Sequence, residues 1–218
     1  QKILQDIRDV EIQGATNIAK AGIKAYLLEP NKKIANSILK TRPTEPLLQN
    51  SIKYLQKSKN PKTASLKILN YIKKSKQTIA KAGTRLIKNN MNIFTHCHSS
   101  TVIEILKLAK KKKKQFVVYT TEVEPLLQGR MTANDLAKAK IKVIVAPDLA
   151  AEQTMKKCDI LLFGVDAFRK KGLANKIGTS TLCKLAKEFN IPRYACGISL
   201  KLSKKKIKLE SRPSKEVW

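Results

Sequence analysis

The spacing of apolar residues changes character once, near Asn89-Asn90, and that change limits the folds open to the chain. From Met91 onward, short apolar runs (Ile93-Phe94-Thr95, Phe116–Tyr119, Ile141–Val145, Ile160–Phe163 and Pro192–Cys196) alternate with helical segments near Thr101–Lys111, Thr132–Lys138, Leu149–Lys156 and Ser180–Phe189. Strands that alternate with helices form parallel βαβ units, so this half is expected to be a doubly wound α/β domain. Upstream, Ile3, Leu4, Ile7 and Val10, and later Ile68, Leu69, Ile72, Ile79 and Leu86, keep helical spacing. Proline disfavours helical geometry in the residue before it, which places breaks at Glu29-Pro30-Asn31, from Arg42-Pro43 to Pro46, and at Lys59-Asn60-Pro61. Three or four helices are predicted over residues 1–89, the last from about Lys62 to Lys88, followed by the α/β domain over 90–218.

A doubly wound sheet binds ligands in the crevice outside the carboxyl ends of its strands. Each predicted strand exit here is polar: Thr95-His96-Cys97-His98-Ser99-Ser100, Thr120-Thr121-Glu122, Pro147-Asp148, Gly164-Val165-Asp166, and Gly197 through Lys201. Cys97 stands just before a helix whose expected cap is Ser99 or Ser100, where the partial positive charge of a helix start stabilises a thiolate. Position alone leaves it open between an inert thiol in a tight turn and a general base or nucleophile. His96 and His98 flank it, but adjacent residues do not easily turn three side chains to one ion, and no metal is expected. Asp166 is open in the same way between a helix cap and an acid whose pKa desolvation raises. Lys176 and the amides around Gly178-Thr179-Ser180 suit a phosphate at a helix start. Arg42, before Pro43, suits bidentate phosphate binding or a plain surface position.

The other cysteines, Cys158, Cys183 and Cys196, form no Cys-x-x-Cys pair with one another or with Cys97 and are expected to be reduced and to pack as small hydrophobes. With 45 Lys and Arg against 16 Asp and Glu, the formal net charge is +29, the kind of value that first suggests nucleic acid. Lysine is nevertheless spread over nearly every predicted helix and loop, and with aromatics at 5% there are few rings for base stacking, so nucleic acid is not expected as the main partner. The Lys110–Lys114 run is read as a solvated turn. No apolar stretch of about 18 residues and no basic-then-apolar leader is present, so a cytoplasmic protein without a membrane partner is expected. Gln1 is either a processed end or the edge of a fragment.

Taken together, Thr95 through Ser100, Thr121-Glu122, Gln128-Gly129, Gly164-Val165-Asp166 and Asn175-Lys176-Ile177-Gly178-Thr179 resemble the family that joins the regulatory subunits of translation initiation factor 2B to sugar-phosphate isomerases. The likeness extends over nearly the whole chain, through Ile12-Gln13-Gly14-Ala15 and Thr41-Arg42-Pro43-Thr44, and the combination is far more specific than any one motif. It implies a helical N-terminal domain followed by a Rossmann-like doubly wound parallel sheet. It also implies that Cys97 moves the proton at the sugar carbon next to the anomeric centre and that Asp166 is the partner acid. Gln13, Gly14, Ala15, Arg42, Ser99, Ser100, Asn175, Lys176 and Lys201 would contact substrate, with no metal or redox cofactor. The cysteine at this position and the His98-Ser99-Ser100 that follows are most similar to the archaeal ribose-1,5-bisphosphate isomerases. That resemblance implies conversion of ribose 1,5-bisphosphate to ribulose 1,5-bisphosphate in nucleotide (AMP) salvage, a dimer-based homo-oligomer and a nucleotide effector.

The chain departs from the family pattern in several places. Gln13 replaces the arginine that usually precedes Gly-Ala, Val123 interrupts the Thr-Glu-Thr-Arg-Pro pattern, and Val165 replaces the common alanine of Gly-Ala-Asp. The helical half is shorter than usual. Trp218 falls before the last strand and Asn-Pro segment of the family, so either the chain is truncated or the sheet is finished differently. Two alternatives follow: a non-catalytic, factor-like or nucleotide-sensing subunit, favoured by Gln13, and a methylthioribose-1-phosphate isomerase, disfavoured by the presence of both Arg42 and Lys201.

Overall fold

The computed structural model describes residues 1–203. Five helices come first: α1 (Lys2–Arg8), α2 (Ala15–Leu28), α3 (Lys32–Thr41), α4 (Pro46–Gln56) and α5 (Pro61–Leu86). The three proline breaks fall where expected, and Pro46 and Pro61 each take the first helical position, where the missing N–H costs no bond. Asn31 caps α3 by accepting from the Ile34 amide at 2.9 Å. The expected count of three or four helices is one short, because Gly14 adds a break between α1 and α2 that no proline marks.

The second half alternates as expected: β1 (Met91–His96), α6 (Ser100–Lys111), β2 (Phe116–Thr121), α7 (Gln128–Ala137), β3 (Lys142–Ala146), α8 (Ala151–Met155) and β4 (Ile160–Gly164). A small antiparallel pair, β5 (Ala167–Phe168) and β6 (Leu173–Ala174), precedes α9 (Thr179–Glu188) and β7 (Arg193–Cys196). β5 and β6 are too short to leave a pattern in the sequence. Five strands form a parallel sheet in the order β3-β2-β1-β4-β7, so the winding reverses between β1 and β4. The fold is therefore α/β with a helical N-terminal part. β4 is buried along its whole length, as a strand covered on both faces must be, while β3 and β7 are the partly exposed edges.

Two compact units divide the described residues, and they do not follow chain order. The first holds Gln1–Ser75, Asp166–Ala174 and the described residues from Ile198; its buried side chains include Ile7, Ile18, Ile38, Leu47, Leu48, Ile52 and Leu55. The second holds Lys76–Val165 and Asn175–Gly197, around Ile93, Val118 and Leu162 of the sheet and Ile105, Leu106 and Leu136 of its helices. In the second unit Lys114, at the end of the lysine run, donates to the carbonyls of Thr84 (2.8 Å) and Ile87. That lysine thus caps the C-terminus of α5, where a cation meets unsatisfied carbonyls and the negative end of the helix dipole. The run is not solvated throughout, as the sequence suggested. No helix among the described residues is long and apolar enough to cross a membrane.

Candidate active site

In the second unit the chain leaves β1 through Cys97, whose φ is +64°. A non-glycine residue in this left-handed region is held there by its surroundings at a cost of about 1–3 kcal/mol, and such strain collects at functional turns. The holding group is Thr132, whose hydroxyl donates to the Cys97 carbonyl at 2.8 Å. His98 Nδ1 lies 3.1 Å from the same oxygen, which is already donating, so the ring nitrogen donates to it. The Cys97 thiol is half-buried and donates to Gln128 Oε1 at 3.5 Å. A strained strand exit therefore presents a thiol to an amide, with its backbone fixed from α7.

Ser99 caps α6 through the amide of Val102 at 3.5 Å. The approach of this turn to β4 demands a glycine: a Cβ built on Gly164 would lie 2.6 Å from Ser99 Oγ and 2.7 Å from its Cβ. Ser100, the first residue of α6, is exposed.

His96 ends β1 and is 4% exposed. Its Nε2 donates to the Ile177 carbonyl at 2.9 Å, which fixes the tautomer and leaves Nδ1 as a buried acceptor with no partner among the described residues. Burial lowers its pKa, against the Ile177 bond and the Asp148 charge, and Lys176 lowers it further, so the ring is neutral near pH 7. Burial also lowers the pKa of His98, opposed by Asp135 at 3.7 Å and assisted by Lys107. The two rings are thus turned to different partners and hold two different segments. His96 holds the loop Asn175-Lys176-Ile177-Gly178-Thr179 that starts α9. Within that loop Asn175 Nδ2 donates to Thr179 Oγ1 (3.1 Å), which donates to the Lys176 carbonyl (2.6 Å). Gly178 has φ +89° and its α-carbon faces the His96 ring, where a Cβ would stand 3.4 Å from Cε1. The outcome is a pinned loop with Lys176 half-buried beside a helix N-terminus, a geometry suited to an anion.

Asp148, after β3, accepts from the amides of Val123 and Glu124, both at 2.9 Å. Burial raises its pKa, but these two bonds, the Thr121 hydroxyl and the nearby His96 bring it below the ordinary value. It fixes the loop after β2 as a permanent carboxylate.

The first unit carries the other group of expected residues. Gly14, with φ +82°, leads into α2, where Ala15 is buried and the Gln13 Oε1 atom has no hydrogen-bond partner among the described residues. Arg42, between α3 and α4, pairs with Glu45 at 3.6 Å. Asp166 is half-buried before β5, and its amide donates to the Ala174 carbonyl at 2.9 Å. Lys201 is half-buried in a 3-10 turn, Ser199–Lys201, where burial lowers its pKa against the raising effect of Asp166 and then Glu45. The expected site residues therefore form two groups: Cys97, Ser99, Ser100, Asn175 and Lys176 in one unit, and Gln13, Gly14, Ala15, Arg42, Asp166 and Lys201 in the other.

Sequence reasoning gave Thr132 and Glu45 no part in the site and read Gln128 only as part of the family resemblance. Thr132 was masked by a helix start predicted one turn too late; α7 begins at Gln128, so Thr132 lies inside it and reaches Cys97. Glu45 is buried although carboxylates usually stay in water, and nothing local in the sequence signals it. Of the remaining cysteines, Cys158 and Cys196 are buried as expected, and desolvation pushes their thiols up to about 12 and about 11. Cys183 is only half-buried, which corrects its reading as a core residue.

Comparison with known proteins adds an independent line. A model of the initiation factor 2 subunit family matches residues 11–218. Ribose 1,5-bisphosphate isomerase of Methanocaldococcus jannaschii is 32% identical over 240 residues, covering 98% of this chain and 78% of that protein. 5-deoxyribose 1-phosphate isomerase of Petrotoga mobilis is 40% identical over 158 residues, 65% of this chain and 46% of that one. Among solved structures, the translation initiation factor eIF-2B of Pyrococcus horikoshii OT3 superposes with a TM-score of 0.87 at 28% identity, covering 92% of this chain and 78% of the other.

Proposed function

Because the chain belongs to the initiation factor 2 subunit family, we propose that it is a sugar-phosphate isomerase acting on ribose 1,5-bisphosphate through Cys97 and Asp166. The observation that carries this reading is the Cys97 turn. A left-handed cysteine fixed by Thr132 at the exit of β1, beside the strand-order reversal, is a costly arrangement for a thiol with no task. Asp166 follows β4, the other strand at that reversal, by two residues in sequence.

The reaction moves two protons within the sugar, one from carbon to carbon and one from oxygen to oxygen, and exchanges no electrons with another molecule. Asp166, as the acid, gives a proton to the ring oxygen as the bond from that oxygen to the anomeric carbon breaks. Cys97, as thiolate, removes the proton from the neighbouring carbon, forming the enediol-type intermediate, and returns it to the first carbon, while the hydroxyl on the neighbouring carbon gives its proton to Asp166 as the ketone forms, which restores the acid. General acid–base help of this kind contributes roughly 10²–10⁴-fold per group. Lys176 with the α9 amides suits one phosphate; Arg42, Lys201 and the Gly14-Ala15 start of α2 suit the other. The same reading extends to a cytoplasmic homo-oligomer built from dimers, with a nucleotide as effector in AMP salvage.

Two other readings have support of their own. The similarity to a translation initiation factor, with Gln13 in place of arginine, favours a factor-like subunit. The Petrotoga relative favours a monophosphate substrate. Purified protein is to be given ribose 1,5-bisphosphate, methylthioribose 1-phosphate and 5-deoxyribose 1-phosphate in parallel, with ketose followed by NMR. The expected result is turnover of the bisphosphate with the highest kcat/KM. Preference for a monophosphate contradicts the substrate, and no turnover of any sugar contradicts the isomerase reading.

A further inference from the structure

In the first unit a buried carboxylate, Glu45, pairs with one and acts on the other of two cations that the proposed function assigns to phosphate binding. Glu45 is 7% exposed, a placement that costs several kcal/mol for a charge unless cations answer it. One answer is Arg42, at 3.6 Å. The other is Lys201, which the chain brings to the same place from far away in sequence. Asn50, on α4, donates to the carbonyls of both Leu200 (2.7 Å) and Leu202 (3.0 Å), so one amide holds the backbone on either side of Lys201. Tyr71 of α5 meets Ser199 Oγ at 2.5 Å, and Ser203 donates to the Phe168 carbonyl at 2.8 Å. The turn bearing Lys201 is thus tied to α4, to α5 and to β5, and its ammonium feels the carboxylates of Asp166 and Glu45.

This arrangement sets a division of labour. Asp166 is the residue the proposed chemistry needs as an acid, so its charge is not constant through a turnover. Glu45 is outside that chemistry and pairs with Arg42. We propose that Glu45 is a positioning residue: its buried carboxylate keeps Lys201 protonated and Arg42 oriented, so that both cations face a phosphate group whatever the state of Asp166. The inference rests on the isomerase reading only for its kinetic consequence.

The sign follows from the charges. Removing Glu45 leaves burial to act on Lys201 with one carboxylate instead of two, so the lysine loses its proton at lower pH and phosphate affinity falls off earlier as pH rises. The charged and titratable groups acting on this turn include Asp166 and Glu45, with Arg42 paired to Glu45 and Tyr71 of α5 bonded to Ser199.

Two measurements test it on the full chain. Competitive acetylation with acetic anhydride from pH 6 to 11, read by peptide mass spectrometry, gives the titration midpoint of Lys201 without any substrate. In Glu45→Gln and in Glu45→Ala, either of which suffices, the midpoint is expected to fall by about one pH unit or more, whereas Glu45→Asp keeps the parent midpoint and Tyr71→Phe leaves it in place. An unchanged midpoint in the neutral variants, or an equal fall in Tyr71→Phe, overturns the inference. In the kinetic arm, KM for ribose 1,5-bisphosphate at pH 9 is expected to rise about tenfold in Glu45→Gln, with a smaller rise at pH 7 and kcat within about twofold of the parent. A loss of kcat that is the same at every pH marks a structural role and overturns it. If the parent turns over no sugar, the isomerase reading falls, while the acetylation midpoint still decides the role of Glu45.

Discussion

The Cys97 turn and the Arg42–Glu45–Lys201 group solve opposite problems. At Cys97 the burden is on the backbone: a left-handed residue, held through its carbonyl by one threonine and served by neutral partners, Gln128 and His98. At Lys201 the backbone is ordinary and the burden is electrostatic, with two cations and two carboxylates gathered from three stretches of chain. A thiol that moves a proton needs a fixed direction and few competing charges. Cations that hold an anion need countercharges while the anion is away. The contrast predicts that the first region fails by loss of geometry and the second by loss of charge.

The largest effect should come from crowding the first region. Gly164→Val drives side-chain atoms into Ser99 and displaces the cap of α6, so thermal unfolding should show a loss of about 2–3 kcal/mol, as overpacked sites do, with activity falling more than the folded fraction does. An unchanged melting temperature would mean that the turn is not fixed against β4. Next, Thr132→Val keeps the shape and removes the hydroxyl that Cys97 and His98 share. Stability is expected to drop by about 1–2 kcal/mol and kcat to fall about tenfold at constant KM, the pattern of lost orientation and not lost binding. In the second region Arg42→Lys keeps the charge but not the fork. KM should rise about tenfold with kcat preserved, and a kcat effect here would erase the distinction between the regions.

The smallest expected effect is on acid stability. His96 and His98 both have folded pKa values lowered mainly by burial, below the ordinary 6.5. The unfolded chain therefore takes up their protons first, so stability is complete above about pH 6.5 and declines as pH falls through that value toward the folded pKa values. Melting temperatures measured from pH 7.5 to 5.0 should fall by a few degrees, and His96→Gln, which keeps a donor for the Ile177 carbonyl, should flatten the decline. A rise on acidification would show that the rings are charged in the folded state.

Much of this was legible before the structure. Five apolar runs set the sheet, and three prolines set three of the four breaks among the first helices, because both effects act within a few residues. The strand-exit rule also led to Cys97, and the helix-start rule to the loop around Lys176 and Gly178. What stayed hidden depends on partners distant in sequence. The bond from Thr132 to Cys97 spans 35 residues, and those from Asn50 to the Lys201 turn span 150 and 152. No local period carries such pairings. Glu45 was invisible for the same reason: packing makes it buried, and Arg42 pairs with it only once the chain has folded.

The most direct test of the central claim compares ketose formation from ribose 1,5-bisphosphate by the parent, Cys97→Ser and Asp166→Asn, each shown to be folded by its melting curve. Isomerisation by these two groups predicts clear turnover in the parent and a loss of at least about 10²-fold in each variant. Equal rates in all three would contradict it.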